Sequence, residues 1–160
     1  MQMLNQAQIS KILDIGSNFL FVDSFENLNR GIDGRATYIF DERHKFIKSH
    51  FTSKVVIPGA LIMESMLQAM ALTIYNAENW EGKALVANVN IKFLEPLHLQ
   101  SRIDSYCKIL INSAGRIEGD VICSSKEKIV GTMKCTYYSS HLFDVLKKNA
   151  IGKNSGGSNH

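Results

Sequence analysis

A histidine and a glutamate, His50 and Glu64, stand 14 positions apart (64 minus 50) on either side of a Pro58-Gly59 pair. Imidazole titrates near neutrality and can take or release a proton. A carboxyl group kept among apolar side chains is pushed toward its acid form. Such a pair has two readings: a general acid–base couple, or an ion pair that merely holds the fold together. Pro58 suits the first turn of a helix, because its φ is already helical and its missing N–H would have had no partner there. From Ala60 to Tyr75 the chain offers Leu61, Ile62, Met63, Met66, Leu67, Ala69, Met70, Leu72 and Ile74 and no wide polar face. The spacing therefore predicts an enclosed helix from about Pro58 to Tyr75. Glu64 and Gln68, four residues apart, share one stripe of it. Burying an ionised carboxylate costs several kcal/mol unless it is paired. Glu64 must have a partner or a task.

The elements around this helix must position it. Residues 5–15 carry Ile9, Ile12 and Leu13 at helical spacing. Residues 19–25 and 35–40 read as two strands joined by the turn-forming stretch 27–34. After a polar connection at 76–83, residues 84–93 alternate, with Leu85, Ala87, Val89, Ile91 and Phe93 on one side. Three further strands are expected over 102–111, 116–124 and 128–138, closed by turns at 112–115 and 125–127. The order is α+β: one antiparallel sheet has to wrap one long apolar helix. Residues 1–150 read as a single domain. The Gly- and Ser-rich 151–160 read as a flexible C-terminal tail.

Composition narrows the function without choosing it. With 160 residues, 45% hydrophobic and 21% charged, the chain is of ordinary globular make-up. A net charge of +3 with scattered basic residues gives no stripe for nucleic acid. Cys107, Cys123 and Cys135 are odd in number and have no C-x-x-C spacing, so they read as reduced strand residues rather than a disulfide frame or zinc site. No apolar run approaches the roughly 18 residues of a membrane span. The N-terminal residues lack a secretory pattern. A soluble cytoplasmic protein without metal or organic cofactor is expected.

The stretch His50-Phe51, followed by Pro58-Gly59-Ala60-Leu61-Ile62-Met63-Glu64 and Gln68, resembles the 3-hydroxyacyl-acyl-carrier-protein dehydratases of the FabZ type, whose fold is the hotdog. In that family the pattern is roughly G-H-F-P-x-x-P-x-x-P-G-V-L-x-x-E-A-x-A-Q, with the same interval between histidine and glutamate. Phe19-Leu20-Phe21-Val22-Asp23 and Asn90-Ile91-Lys92-Phe93-Leu94-Glu95-Pro96 resemble its first strand and the strand after its helix. The chain departs from the pattern where Ser49 replaces the glycine, and where Thr52 and Val55 replace prolines. It departs again where His98 to Gln100 stand for a Gly-Asp, and at Asp14-Ile15-Gly16-Ser17, which lacks a proline and a His-Arg pair.

The resemblance implies dehydration of (3R)-3-hydroxyacyl thioesters to trans-2-enoyl thioesters in fatty-acid or related biosynthesis. His50 would be the base at C2 and Glu64 the proton donor to the leaving hydroxyl. The Gly59 N–H, at the positively polarised helix end, would hold the thioester oxygen. Phe51 and Gln68 would contact or orient the substrate, Gln68 beside Glu64 rather than as a reactant. The resemblance also implies a homodimer whose His50 and Glu64 meet across the two-fold axis, or a trimer of such dimers. The partner would be an acyl carrier protein bearing a phosphopantetheine-linked acyl chain, met by a rim of Lys45, Lys48 and Lys54. Two alternatives stand beside this reading: a hotdog thioesterase, and a hotdog protein that binds acyl thioesters without catalysis.

Overall fold

The computed structural model describes residues 3–43, 47, 56–77, 80 and 82–154. A short strand β1 (Met3–Asn5) leads into helix α1 (Gln6–Leu13), capped by Asn5, whose side-chain oxygen accepts from the Gln8 N–H while Gln8 accepts from the Asn5 N–H. Asp14, in the left-handed region at φ 56°, ends the helix. Strands β2 (Ser24–Asn29) and β3 (Asp33–Phe40) form a hairpin ahead of the long helix α2 (Gly59–Tyr75). Four strands follow: β4 (Ala84–Phe93), β5 (Ser101–Ser113), β6 (Arg116–Ser125) and β7 (Lys128–Ser139). The last described element is helix α3 (Ser140–Asn154). All seven strands join one antiparallel sheet in the order β1-β2-β3-β5-β6-β7-β4. This is the hotdog arrangement expected from the sequence.

The sheet wraps α2 because its strands alternate. Ile103, Ser105 and Cys107 of β5, Val121 and Cys123 of β6, and Met133, Cys135 and Tyr137 of β7 are buried toward the helix, while Tyr106, Ile122 and Lys134 point away. Met66, Ala69, Met70 and Leu72 of α2 are fully buried against that face. Glycines let the helix come close. A Cβ on Gly119 would collide with the Met70 methyl group and lie 2.9 Å from the Lys108 carbonyl oxygen. The three cysteines are free and buried, and burial pushes the Cys123 thiol up to about 11 and that of Cys135 to about 12. They are core residues with no thiolate at neutral pH.

Three expectations change. The strand expected over 19–25 is a 3₁₀ turn at Ser17–Phe19, an irregular stretch, and a strand that begins only at Ser24. Leu20, Phe21 and Val22 bury their side chains, but the Phe21 backbone is bonded by side chains of α2 in place of a neighbouring strand. Helix α3 was not expected. Leu142, Val145 and Leu146 carry the i, i+3, i+4 spacing, yet Val145 and Leu146 remain exposed, so that pattern marks no core. The expected tail is helical as far as Asn154, and residues 155–160 lie outside the described residues.

The tight seat of α2 gives a direct test. Gly119→Val should destabilise the protein by about 1–3 kcal/mol, since the neighbouring carbonyl cannot move aside. Urea unfolding should show a lower midpoint with an unchanged slope. An unchanged midpoint would mean that α2 does not sit on this glycine.

Candidate active site

Helix α2 begins with Pro58 at its N-cap, φ −55° and ψ 132°, and no side chain caps it. The Pro58 carbonyl accepts the first intrahelical bonds, from the Leu61 N–H at 2.9 Å and the Ile62 N–H at 3.4 Å. The amides of Gly59 and Ala60 precede any intrahelical acceptor, so they remain for an outside oxygen. A groove of about 360 Å³ opens beside them, lined by Ile57, Gly59, Ile62, Phe93, Leu94 and Leu97 among others. Two backbone contacts frame it. The Ile57 N–H donates to the Leu97 carbonyl at 2.7 Å, and Val56 bridges His98.

One and a half turns further along lies Glu64, half-buried. Its Oε1 accepts from Gln68 Nε2 at 2.9 Å. Burial raises the Glu64 carboxyl above the ordinary glutamate value of 4.5, and the Gln68 bond opposes that rise without cancelling it. Gln68 is only 2% exposed and fully engaged. Its Nε2 also donates to the Phe19 carbonyl at 2.8 Å, and its Oε1 accepts from the Phe21 N–H at 2.9 Å. Ser65 Oγ donates to the Phe21 carbonyl at 2.7 Å. The amide orientation of Gln68 is fixed by this set, because reversing it would set donor against donor at Phe21. On the far side Tyr137 reaches from β7 to donate its hydroxyl to the Leu67 carbonyl at 2.8 Å.

The stretch that Gln68 and Ser65 grip is itself packed by rings. Phe19, Phe21, Tyr38 and Phe40 meet edge to face in succession, with centroids 5.3, 5.8 and 4.9 Å apart. Arg43 lies over Tyr38 and pairs with Asp23 and Asp41. Glu64 is thus hung from a rigid aromatic wall through one amide side chain.

Five residues were expected to form the site. Gly59, Glu64 and Gln68 all lie on α2, and Gln68 bonds Glu64 as expected. Gly59 and Glu64 stand on different faces: five residues at 100° each leave them about 140° apart around the axis. His50 and Phe51, with Lys45, Lys48 and Lys54, lie outside the described residues. The enclosure expected for α2 is incomplete. Glu64, Leu67, Ala71 and Tyr75 form a half-buried stripe that begins at the exposed Ala60. Ser65, Tyr137 and Phe93 were not singled out as site residues. Ser65 carried a usable signal, being a hydroxyl inside an apolar helix, which needs a partner.

A FabA-like domain model matches residues 16–102. Among curated relatives, a 3-hydroxyacyl-[acyl-carrier-protein] dehydratase FabZ of a Wolbachia species is 32% identical over 111 residues, covering 64% of this chain and 78% of that protein. The Levilactobacillus brevis FabZ is 26% identical over 138 residues, covering 85% of this chain and 84% of that one. The Lactobacillus helveticus FabZ is 32% identical over 83 residues, and there the match spans 56% of the relative's length and 52% of this chain. Among solved structures, a sigma28-regulated virulence protein of Campylobacter jejuni matches with a TM-score of 0.65 at 12% identity, over 82% of this chain and 95% of that one. A hypothetical thioesterase of Streptococcus pneumoniae with coenzyme A matches with a TM-score of 0.58 at 12% identity, over 72% and 88%. At such identities the two structures share the fold.

The raised Glu64 carboxyl predicts how stability follows pH. Its folded value lies above the unfolded one, so the protonated form favours the fold and the ionised form burdens it. That contribution is present below 4.5 and is lost as the pH rises through the folded value. Glu64→Gln keeps an acceptor for Gln68 without the charge. At about pH 7 to 8 it should melt higher than wild type, and the two should converge under acid. A variant less stable than wild type at neutral pH would show that the ionised carboxylate is well solvated or paired.

Proposed function

This chain belongs to the FabA-like family, and on that footing we propose that it dehydrates (3R)-3-hydroxyacyl thioesters of acyl carrier protein to trans-2-enoyl thioesters. The observation that carries the reading is Glu64, a carboxyl with raised pKa on the same helix as the uncommitted Gly59 amide. In this reaction His50 takes the C2 proton, and the electron pair left behind moves toward the thioester carbonyl. The Gly59 N–H and the helix dipole stabilise the oxygen that gains charge. As the C3–O bond breaks, Glu64 gives its proton to the departing hydroxyl, which leaves as water. The pair of electrons from C2–H becomes the new double bond, and the C2 proton held by His50 restores the carboxyl for the next cycle. The thioester acidifies C2, so the chain's own groups suffice.

The site is shared between two copies of the chain. The Gly59 N–H points along the axis out of the helix start while the Glu64 side chain leaves the helix flank, and a thioester on the amide of one copy meets the carboxyl of the other. Two features support this assembly. The half-buried stripe Ala60-Glu64-Leu67-Ala71 leaves apolar surface open on α2. Strand β4 stands at the sheet edge with Val86 exposed, an edge that another chain can complete. Phe51 is a substrate-binding residue, Lys45, Lys48 and Lys54 receive the acidic carrier protein, and the reaction belongs to fatty-acid or related acyl-chain synthesis in the cytoplasm. No helix among the described residues is long and apolar enough to cross a membrane.

A hydrolytic reading would ask Glu64 to act as an ionised base toward water. Burial raises the Glu64 carboxyl, which suits an acid and a base alike, so the products decide between the two readings. Incubation with 3-hydroxyacyl and saturated acyl thioesters, followed by mass spectrometry, separates the outcomes: enoyl product, free thiol, or neither. His50→Ala and Glu64→Ala should each lower dehydration by roughly 10²–10⁴-fold. Dehydration intact in both variants, or free thiol as the main product, would overturn the assignment.

A further inference from the structure

The groove beside α2 has one feature that the reaction above does not use. Phe93, the last residue of β4, lays the far edge of its ring against Gly59. A Cβ built on Gly59 would lie 2.9 Å from the ring's Cζ and 3.1 and 3.3 Å from its two Cε atoms. The ring is held there from the backbone. Phe93 pairs with Gly131 of β7, and the Leu94 N–H donates to the Val130 carbonyl at 2.9 Å. Yet Phe93 is 49% exposed, so core packing does not account for its place. The same contact explains why residue 59 is glycine: any side chain there must displace the ring. Phe93 and the Gly59 amide are therefore two walls of one small space at the helix end.

We propose that Phe93 is a specificity-determining residue that admits thioesters unsubstituted at C2 and rejects those carrying a 2-methyl branch. The inference rests on the dehydratase reading above. With the thioester oxygen on the Gly59 N–H, C2 and the sulfur both come to the helix end that the ring edge overlies. Sulfur and an unbranched CH₂ pass beneath it. A methyl group on C2 meets the ring edge at the Gly59 end of the groove, and the ring must swing away from Gly59 to admit it. The C2 epimer that keeps its hydrogen in the position elimination requires can still react, so its exclusion is steric and leaves the chemistry intact. Exclusion of one methyl group by a fitted wall is worth roughly 10- to 100-fold in kcat/KM.

The test compares (3R)-3-hydroxybutyryl and (3R)-2-methyl-3-hydroxybutyryl thioesters of N-acetylcysteamine, the second as both C2 epimers, read as enoyl formation. The full-length protein should prefer the unbranched thioester by roughly 10- to 100-fold. In Phe93→Ala that ratio should fall toward unity, and Phe93→Leu should keep most of it. The ratio is internal to each protein, so loss of folded material alone cannot move it. Equal turnover of both thioesters by wild type, or an unchanged ratio in Phe93→Ala, overturns the inference while leaving dehydration standing. Absence of enoyl product from wild type with the unbranched thioester overturns the dehydratase reading and this inference with it.

Discussion

A 17-residue helix with almost no polar side chain has to be covered, and the rest of this molecule follows from covering it. Left in water, α2 would expose Ile62, Met66, Met70, Leu72 and Ile74 together, at a cost of about 1.5–3 kcal/mol for each large side chain. One curved antiparallel sheet does the covering, and it comes close enough only because its facing positions are small where the helix is large. Gly119 under Met70 and Gly34 near Thr73 are the clearest cases. Glu64 lies at the edge of that cover, on the half-buried stripe beside the Phe19–Phe21 stretch, where burial still raises its carboxyl.

That setting ties folding to chemistry through one side chain. Gln68 is bonded to Glu64, to the Phe19 carbonyl and to the Phe21 N–H. The same amide orients the acid and closes the irregular stretch that enters β2, so the acid cannot be repositioned without loosening the N-terminal part of the sheet. An amide is the fitting partner: it holds the carboxyl in place without the full charge that would lower its pKa. A lysine or arginine there would fix the group as a carboxylate and remove its use as a proton donor. The half-buried stripe that contains Glu64 extends the same logic outward, since a second copy laid on it would dry the carboxyl further.

Much of the architecture was legible in the sequence. Helix α2, its start after Pro58, the pairing of Glu64 with Gln68 and the four strands from residue 84 onward follow from spacing and turn chemistry. The segment 19–25 was misread because its apolar run is spent on packing while its backbone bonds go to Ser65 and Gln68, a long-range choice that local pattern cannot express. Helix α3 was missed for the opposite reason: its periodicity is present but serves no burial within the chain. Phe93 read as one more apolar strand residue. Only the closeness of its ring to Gly59, 34 positions earlier in the chain (93 minus 59), gives it a separate meaning.

The acid role of Glu64 depends on its holding a proton to higher pH than a solvated glutamate does. Carbon-13 NMR of the side-chain carboxyl, assigned by its loss in Glu64→Gln, measures this directly on the folded protein. The midpoint should lie above the ordinary 4.5. A midpoint at or below that value would mean that Glu64 is an ordinary carboxylate, and the acid role drawn from its burial would not stand.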